Sequence, residues 1–337
     1  MSEHAKHVGV KAGLAVSAVL GIVSAVWLVA HFGLPEVGEA FLAIGWLGLA
    51  AMCAVHAVSL VLCALSWRVL IIDAPPAIAL SCLWARWLRD GIGNILPIFP
   101  AAGEVLAARE LGLRGVQAGT AAGSTIVDMT AEMVSQLLFT LLGLGLLVWQ
   151  RPQTDYIWRL SGGLGLATVL VAGFIIAQRK GLLRLLESLP AKLGMTQSWA
   201  SLPEAQSIHT AIQRIYDEPT RVAGSVAIHV TAWIAGAAEA WTALWFMGHP
   251  ISFCAVLIIE SLVFALRTMA FAVPWAAGVQ EGGYVMLGAL FGLSPEVALA
   301  LSLLKRAREL STGVPALLIW QASELRKIAG GRRLRLK

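Results

Sequence analysis

The sequence predicts an all-α polytopic membrane protein with an inverted internal repeat and two broken or re-entrant helix pairs. Three observations predict this fold class. Hydrophobic residues form 58% of the 337-residue chain and charged residues 13%, whereas an average soluble domain carries about 25% charged residues. The mean hydropathy is +0.76. Two interrupted apolar regions resemble each other. The composition excludes a soluble globular domain and a disordered chain.

Long apolar runs mark the predicted membrane-spanning helices, since a helix needs about 20 residues to cross a bilayer. The first run, Ala12 to Gly33, is too long for a signal-peptide core and lacks a small-x-small cleavage site, so we expect an uncleaved span. The six predicted spans cover residues 12–33, 41–67, 120–149, 162–178, 222–247 and 297–320. The whole chain, 1–337, is therefore interpreted as a single integral membrane domain.

The basic residues predict which side each loop occupies. They concentrate near the N-terminus, in an amphipathic loop at 179–221 and in a basic tail at 321–337. Cytoplasmic loops carry an excess of Lys and Arg, so both termini and this loop are expected in the cytoplasm. Two pieces of the loop, Gly181–Leu193 and Glu204–Tyr216, are expected to be interfacial helices. The net charge of +5 follows this topology. A nucleic-acid partner is not expected, because no basic patch alternates with aromatic residues.

Two apolar regions, 75–113 and 252–293, are interrupted by Pro, Gly and charged residues. The first contains RDGIGNILPIFPAAGE and the second RTMAFAVPWAAGVQE. Pro97 and Glu104 are seven residues apart, as are Pro274 and Glu281. We interpret residues from about 41 to 150 and from about 222 to 320 as two repeats.

The match between the repeats extends downstream. Asp128 and Glu132 correspond to Lys305 and Glu309 at the same offset of 177 residues. The first interrupted region follows the cytoplasmic Arg68, whereas the second follows an outer loop, so the repeats are expected to enter the membrane from opposite sides. Inverted repeats with broken helices are typical of alternating-access transporters. The alternative is a duplicated scaffold that transports nothing.

Charged residues inside the apolar segments indicate a polar cavity, because a charge at the bilayer centre costs about 2.5–3.5 kcal/mol on insertion scales. We predict no catalytic residue, no metal site and no cofactor. The predicted substrate-binding or translocation residues are Arg89, Asp90, Asn94, Pro97, Gly103, Glu104, Arg109, Asp128, Glu132, Glu260, Arg267, Pro274, Gly278, Glu281, Lys305, Arg306 and Glu309.

Several of these residues have a predicted role. Pro97 and Pro274 should break their helices and expose helix N-termini that favour anions. The arginines two turns upstream, Arg89 and Arg267, are suited to bidentate contact with a lipid phosphate. The glutamates after the breaks are expected to bind a cationic head group or to carry a proton. These glutamates are Glu104 and Glu281.

Other charged residues receive structural interpretations. Asp128 and Glu132 are expected to pair with Lys305 and Arg306 across the repeats, either as an ion lock or in the substrate path. Three arginines are expected to snorkel at the interface, namely Arg68, Arg86 and Arg114. Arg308 and Glu309 are interpreted as a local ion pair, and Glu239 as bound to neighbouring backbone. The histidines are expected to stand alone, without a nearby carboxylate; these are His56, His209 and His229.

Three segments carry a resemblance to a known family: Leu88–Glu104, Ser124–Gln136 and Ile258–Leu310, the last with the motifs VQEGGY and LLKRAREL. They resemble the lysylphosphatidylglycerol synthase transmembrane-region family, and within it the hopanoid-biosynthesis-associated (HpnL-type) membrane proteins. The resemblance implies a multi-pass protein of the bacterial inner membrane that moves lipids. In larger relatives this region is a flippase attached to an aminoacyl-transferase domain, which we do not expect here.

The resemblance therefore implies a lipid translocator for hopanoids or phospholipids, with the lipid bilayer and a membrane lipid as its partners. Two alternatives stay open. One is an intramembrane lipid-modifying enzyme, although the Asp-Gly opening and metal-binding aspartates of CDP-alcohol phosphotransferases are missing. The other is a non-transporting subunit of a hopanoid export or biosynthesis assembly. A homo-oligomer or an export-complex partner is also possible.

Overall fold

The computed structural model describes residues 34–72, 74–75, 77–95, 102–150, 165, 203–270, 276 and 278–334, and these residues contain helices and turns without a strand. This confirms the all-α class. The described helices are α1 (Leu34–Leu70), α2 (Ile78–Ile95), α3 (Ala102–Leu113), α4 (Ala118–Gln150), α5 (Pro203–Tyr216), α6 (Pro219–Phe246), α7 (Phe253–Met269), α8 (Val279–Ala289) and α9 (Pro295–Leu334).

Three described helices are long and apolar enough to cross a membrane: Leu42–Leu70 within α1, Ala118–Gln150 and Pro219–Phe246. They match the spans predicted at 41–67, 120–149 and 222–247. The span predicted at 297–320 lies inside α9. This helix is not among the three, because charged residues lie at its centre. The spans predicted at 12–33 and 162–178, and the amphipathic piece at 181–193, lie outside the described residues.

Local sequence signals explain where several helices begin. Pro219 occupies the first turn of α6, where its missing N–H is not needed. Ser252 precedes α7, and its hydroxyl oxygen accepts a hydrogen bond from the Ala255 N–H at 3.2 Å, which satisfies one of the free donors of the first turn. Gly278 precedes α8 with a φ of 78°, a left-handed conformation that glycine adopts without steric cost. The second repeat is therefore divided into helices by ordinary capping chemistry.

The helix order repeats within the chain. Helices α1 to α4 and α6 to α9 each form a series of two helices, an interruption and two further helices. Helices α3 and α8 begin at Ala102 and Val279, 177 positions apart, and α4 and α9 begin at Ala118 and Pro295, also 177 apart. Pro97 and Pro274, within the two interruptions, lie outside the described residues. The opposite orientation of the repeats in the membrane stays a prediction.

The two repeats interlock instead of packing as separate bundles. Helices α1 and α6 pack along each other at the centre, α2 of the first repeat packs on α9 of the second, and α7 of the second packs on α4 of the first. Lipid tails are as apolar as leucine, so the association of such helices depends on close packing and polar contacts. The centre of the molecule is consequently shared by both repeats.

Helices α2 and α9 approach closely at two glycines. A Cβ atom placed on Gly91 would lie 3.2 Å from the Gly313 Cα atom and 3.1 Å from the Ala316 Cβ atom. Small residues of this kind allow helix backbones to approach each other within a membrane. Gly91 and Gly313 therefore set the distance between the two repeats at this crossing.

Valine at position 91 should destabilise this crossing. We expect Gly91→Val to lower the free energy of unfolding in detergent by about 1–3 kcal/mol more than the control, because overpacking displaces a tightly packed backbone. Gly93→Val is the matched control on the same helix, since a Cβ atom at Gly93 has no neighbour within 4 Å. Equal losses for the two variants in a denaturant titration would contradict a close crossing at Gly91.

Helix α5 corresponds to the amphipathic piece predicted at Glu204–Tyr216. Its buried side chains Ile212 and Ile215 pack in one cluster with Leu70 and Val127. The apolar face of α5 therefore contacts the C-terminal end of α1 and the N-terminal third of α4. The cytoplasmic location of this helix stays a prediction.

Candidate functional site

A cavity of about 390 Å³ lies between the two repeats. Helices α1, α2, α3 and α4 of the first repeat and α6, α7 and α9 of the second all contribute to its wall. Nine predicted site residues line it: Arg89, Asp90, Asn94, Glu104, Glu132, Glu260, Arg267, Lys305 and Glu309. The cavity therefore brings together much of the predicted set.

The remaining predicted residues occupy other places. Asp128 is fully buried and contacts the Arg89 guanidinium, so it lies one layer behind the cavity wall. Five further predicted site residues are described by the structure but do not line the cavity, namely Gly103, Arg109, Gly278, Glu281 and Arg306. Pro97 and Pro274 lie outside the described residues.

The first repeat supplies a cluster of two arginines and two carboxylates. The Arg86 guanidinium donates two hydrogen bonds to Glu132, at 3.0 and 2.6 Å. Arg89 donates to Asp128 and to Glu132, each at 2.7 Å. Spacings of three and four residues put each pair on one face of its helix, α2 or α4. Such bidentate charge-assisted contacts are among the stronger hydrogen bonds in proteins.

Two further carboxylates surround this cluster on the cavity side. Asp90 lies 2.9 Å from the Arg86 Nε atom, and Glu104 lies 3.5 Å from the Arg89 Nε atom. Their side chains are each 25% exposed, whereas Arg86 and Arg89 are 6% and 8% exposed. Asp90 and Glu104 are therefore more exposed than the guanidinium groups that they contact.

The second repeat supplies a related cluster. Arg267 lies 3.5 Å from Glu309, and this pair occupies positions equivalent, within one residue, to Arg89 and Glu132. Lys305 pairs with Glu260, which also accepts a hydrogen bond from the Tyr284 hydroxyl at 2.6 Å. The lysine and its carboxylate partner thus belong to the same repeat.

Arg267 differs from the other cations of the cavity wall. The Arg267 side chain is 23% exposed and makes its ion pair at 3.5 Å, and its guanidinium stands 5.6 Å from the Phe264 ring centroid. The other wall cations are at most 9% exposed and hydrogen-bond to carboxylates. Arg267 is therefore the most accessible cation of the described cavity wall.

Two histidines each contact a carboxylate of the repeat to which the histidine does not belong. His229 Nε2 lies 3.0 Å from Asp128 Oδ1, and His56 Nδ1 lies 3.5 Å from Glu239 Oε2. The other oxygen of Glu239 accepts a hydrogen bond from Arg308 Nε at 2.8 Å. The expectation that His56 and His229 stand alone is therefore wrong, because helix packing brings distant carboxylates to them.

Glu281 and Arg306 form a separate buried cluster. Glu281 accepts a hydrogen bond from the Gly278 N–H at 2.8 Å, one from the Ser302 hydroxyl at 3.0 Å and one from Arg306 Nε at 3.0 Å. The carboxylate therefore caps α8 and joins it to α9. Arg109 lies elsewhere, where it pairs with Glu324 at 2.9 Å.

Several predicted pairings are corrected by this geometry. Asp128 and Glu132 pair with Arg86 and Arg89 instead of Lys305 and Arg306, because α4 faces α2 of its own repeat at this depth. Arg86 is buried in that cluster and does not snorkel.

Two interpretations of the second repeat also fail. Arg308 and Glu309 are not a local pair, since adjacent residues point to different sides of a helix. Arg308 contacts Glu239, and Glu309 contacts Arg267. Glu239 binds side chains, contrary to the expected backbone contact.

Sequence reasoning missed Arg86, Arg308, His56 and Glu239 as cavity residues. A usable signal existed for Arg86: it lies three residues before Arg89, on the same face of α2. The aromatic residues Phe139, Trp233 and Phe264, which also line the cavity, carry no comparable signal, because aromatic side chains are frequent throughout apolar helices.

Asp128, Glu132 and His229 have potential metal ligands within 4.8 Å of one another. The guanidinium groups of Arg86 and Arg89 already donate hydrogen bonds to the carboxylate oxygens, at 2.6–3.0 Å. A divalent cation there would face two fixed positive charges. The donor set fits an ion-pair cluster better than a metal site.

Long apolar helices that enclose a charged cavity define an all-α integral membrane protein. The chain belongs to the lysylphosphatidylglycerol synthase transmembrane-region family, whose family model matches residues 11–316. No curated protein and no solved structure shows a significant match to this chain. Family membership connects the protein to membrane lipids, and the fold identifies a membrane protein.

Proposed function

We propose that this protein is a lipid translocator that exposes the central cavity alternately to the two leaflets of the bacterial inner membrane. The observation that carries the proposal is the charged cavity of about 390 Å³ between corresponding helices of two interlocked repeats. Such a cavity provides a polar path for a head group, while the apolar part of the lipid stays against the outer helix surfaces. Repeat-based transporters bind their substrates in this position, between the repeats.

The charge arrangement of the cavity supports the passage of a polar head group. Its wall carries five Arg and Lys side chains and six Asp and Glu side chains among the described residues. Because these groups pair with one another, the cavity wall avoids the cost of isolated charges at membrane depth. A head group enters by exchanging its own charges and hydroxyls for some of these internal contacts.

The proposed substrates are a phospholipid or a hopanoid with a polar head group. The family supports a lipid substrate, and the resemblance to the hopanoid-associated branch suggests the hopanoid. The charged cavity wall suits the polar end of either lipid. We further propose that both termini lie in the cytoplasm.

An enzymatic role is not proposed for this cavity. The carboxylate pair most suited to phosphate chemistry through a metal, Asp128 and Glu132, is neutralised by Arg86 and Arg89. The described cavity wall thus offers ion pairs in place of a free acid–base pair.

The proposal is tested with purified protein in liposomes that carry a trace of fluorescent phospholipid or of labelled hopanoid. The accessible outer-leaflet fraction is followed by chemical quenching. We expect faster exchange between leaflets than in protein-free liposomes for at least one of the two lipids. Unchanged exchange of both lipids, together with chemical modification of either lipid detected by mass spectrometry, would overturn the translocator in favour of an enzyme.

Arg267 should contribute strongly to lipid movement and weakly to stability. We expect Arg267→Gln to slow leaflet exchange by roughly tenfold or more, because a hydrogen bond to a charged group contributes about 1.5–3 kcal/mol. The unfolding midpoint should change little, since the side chain is accessible and its partner Glu309 is 3.5 Å away.

Arg109→Gln is the matched control for this prediction, since Arg109 lies outside the cavity and is 46% exposed. Exchange rates are compared at equal amounts of folded, reconstituted protein. An undiminished rate for Arg267→Gln would remove Arg267 from the lipid path.

A further inference from the structure

The two repeats are joined beside the cavity by two histidine–carboxylate pairs. His229 of the second repeat contacts Asp128 of the first at 3.0 Å. His56 of the first repeat contacts Glu239 of the second at 3.5 Å. Each pair therefore consists of an imidazole from one repeat and a carboxylate from the other.

The permanently charged residues of the cavity behave differently. Every described Arg and Lys of the cavity wall has its ion-pair partners within its own repeat. The contacts with a carboxylate that cross between the repeats at the described cavity wall and directly behind it are thus the two histidine–carboxylate pairs. An imidazole forms an ion pair with a carboxylate when it is protonated, and its ordinary titration range lies near neutral pH.

The histidines occupy related positions with different access to the cavity. His56 lies on α1, the first helix of its repeat, and His229 on α6. The position that matches His56 at the 177-residue offset is Trp233, one helical turn after His229. The His56 side chain is 20% exposed and lines the cavity, whereas His229 is 1% exposed and does not line it.

We propose that lipid movement by this protein is coupled to protons, and that His56 is the group that exchanges a proton with the cavity in the conformation described here. This inference rests on the proposed lipid translocation. His56 takes one proton from hydronium in the cavity water and leaves a water molecule. After the repeats rearrange, the imidazolium returns that proton to water on the other side of the membrane.

Protonation of His56 changes the strength of its contact with Glu239. Protonated imidazole donates from both ring nitrogens, so the His56 pair with Glu239 gains a charge-assisted hydrogen bond between the repeats. Loss of the proton removes the positive charge and weakens this connection. Relays of histidine and carboxylate groups within membrane segments commonly serve proton movement.

Other charged groups surround both histidines and set their local field. The groups on the elements around His56 are Glu239 of α6; Lys305, Arg308 and Glu309 of α9; Arg86, Arg89 and Asp90 of α2; Glu132 of α4; and Cys53 of α1. The groups around His229 are Asp128 and Glu132 of α4, Arg86 and Arg89 of α2, and Cys63 of α1. Each histidine therefore lies among both carboxylates and guanidinium groups.

The test uses the full chain in liposomes under an imposed pH gradient, with valinomycin and equal potassium on both sides to hold the membrane potential at zero. Fluorescent phosphatidylglycerol, or labelled hopanoid if only that lipid exchanges, reports the leaflet distribution, and a pH-sensitive dye in the lumen reports proton movement. For coupling of one proton to one lipid, we expect the steady-state leaflet ratio to change by up to about tenfold per pH unit. Proton movement should exceed that of lipid-labelled liposomes without protein.

His56→Gln is the decisive variant. We expect the leaflet ratio of this variant to become independent of the pH gradient and its lipid-linked proton movement to disappear. His249→Gln is the matched control, because His249 lies in the exposed turn after α6, and it should retain the gradient dependence. Glu239→Gln serves as a second variant if His56→Gln does not fold, with the same expected loss of coupling.

The outcomes separate the two proposals. If the wild-type protein exchanges lipid rapidly but its leaflet ratio does not depend on the pH gradient, proton coupling is overturned. Lipid translocation is not contradicted by that result. Gradient dependence that persists in His56→Gln, or in Glu239→Gln if the first variant does not fold, overturns the assignment to His56. Absence of leaflet exchange for both the phospholipid and the hopanoid contradicts the proposed function, and the coupling inference falls with it.

Discussion

Replacing Arg89 by methionine is expected to lower the free energy of unfolding by about 3–5 kcal/mol, because the substitution removes the guanidinium that pairs with the buried Asp128 and with Glu132. Arg89 is 7% exposed and donates to Asp128 and Glu132 at 2.7 Å each. Asp128 is fully buried, so water cannot replace the lost guanidinium. Arg86 also contacts Asp128, but at 3.6 Å, and it compensates only in part.

Arg109→Met is the matched control for this large effect. Arg109 also forms an ion pair with a buried glutamate, Glu324, but the Arg109 side chain itself is 46% exposed. Water can therefore reach the place of the lost guanidinium, and we expect a smaller loss than for Arg89→Met. Both free energies are measured by denaturant titration in the same detergent, followed by tryptophan fluorescence. Similar losses for the two variants would show that the cluster around Asp128 contributes no more than this partly exposed pair.

Replacing Asp128 by asparagine in the Arg89→Met background provides a further check. The double variant removes charges of both signs from the buried cluster. We expect it to recover part of the stability lost in Arg89→Met, since the buried Asp128 carboxylate deprived of Arg89 is the main source of the loss. A double variant less stable than either single variant would contradict this explanation.

Glu281→Gln is expected to lower the free energy of unfolding by about 3 kcal/mol, since it removes the charge of a carboxylate that pairs with the buried Arg306. The Glu281 carboxylate accepts hydrogen bonds from Arg306, Ser302 and the Gly278 backbone. It therefore combines a helix cap with an ion pair between α8 and α9. Glutamine keeps the shape of the side chain, so the measured loss reports mainly the charge.

Glu104→Gln provides the comparison at the equivalent position of the first repeat. Glu104 is 25% exposed and lies 3.5 Å from its partner Arg89, so we expect a loss below about 1 kcal/mol. The two variants are compared in one series of thermal unfolding curves and denaturant titrations. A larger loss for Glu104→Gln than for Glu281→Gln would contradict the assignment of Glu281 as the structural member of this pair.

The helix pattern of the protein could be predicted from the chain because it depends on local features. The apolar runs at 41–67, 120–149 and 222–247 became helices close to those bounds. The matching starts of α3 and α8 follow from the offset visible between Glu104 and Glu281. Several cavity residues were also predictable, since a charge within an apolar segment must find a polar environment.

The partners of those charges could not be predicted, because they depend on which helices face each other. Asp128 and Glu132 occupy one face of α4, but the sequence does not reveal whether that face meets α2 or α9. The same limitation applies to His56, whose partner Glu239 is 183 residues away in the chain. Arg86 was misassigned to the interface because the sequence does not show that its helix brings it to Asp128 and Glu132.

The division of ion pairs between the repeats has a consequence for biogenesis. The buried cations Arg86 and Arg89 find their counter-ions about 40 residues further along the chain, and Lys305 finds its partner 45 residues earlier. A nascent first repeat thus carries its own neutralising groups when it leaves the ribosome. We expect each half to enter the bilayer without exposing uncompensated charge to lipid, and the histidine contacts to form last, when the halves meet.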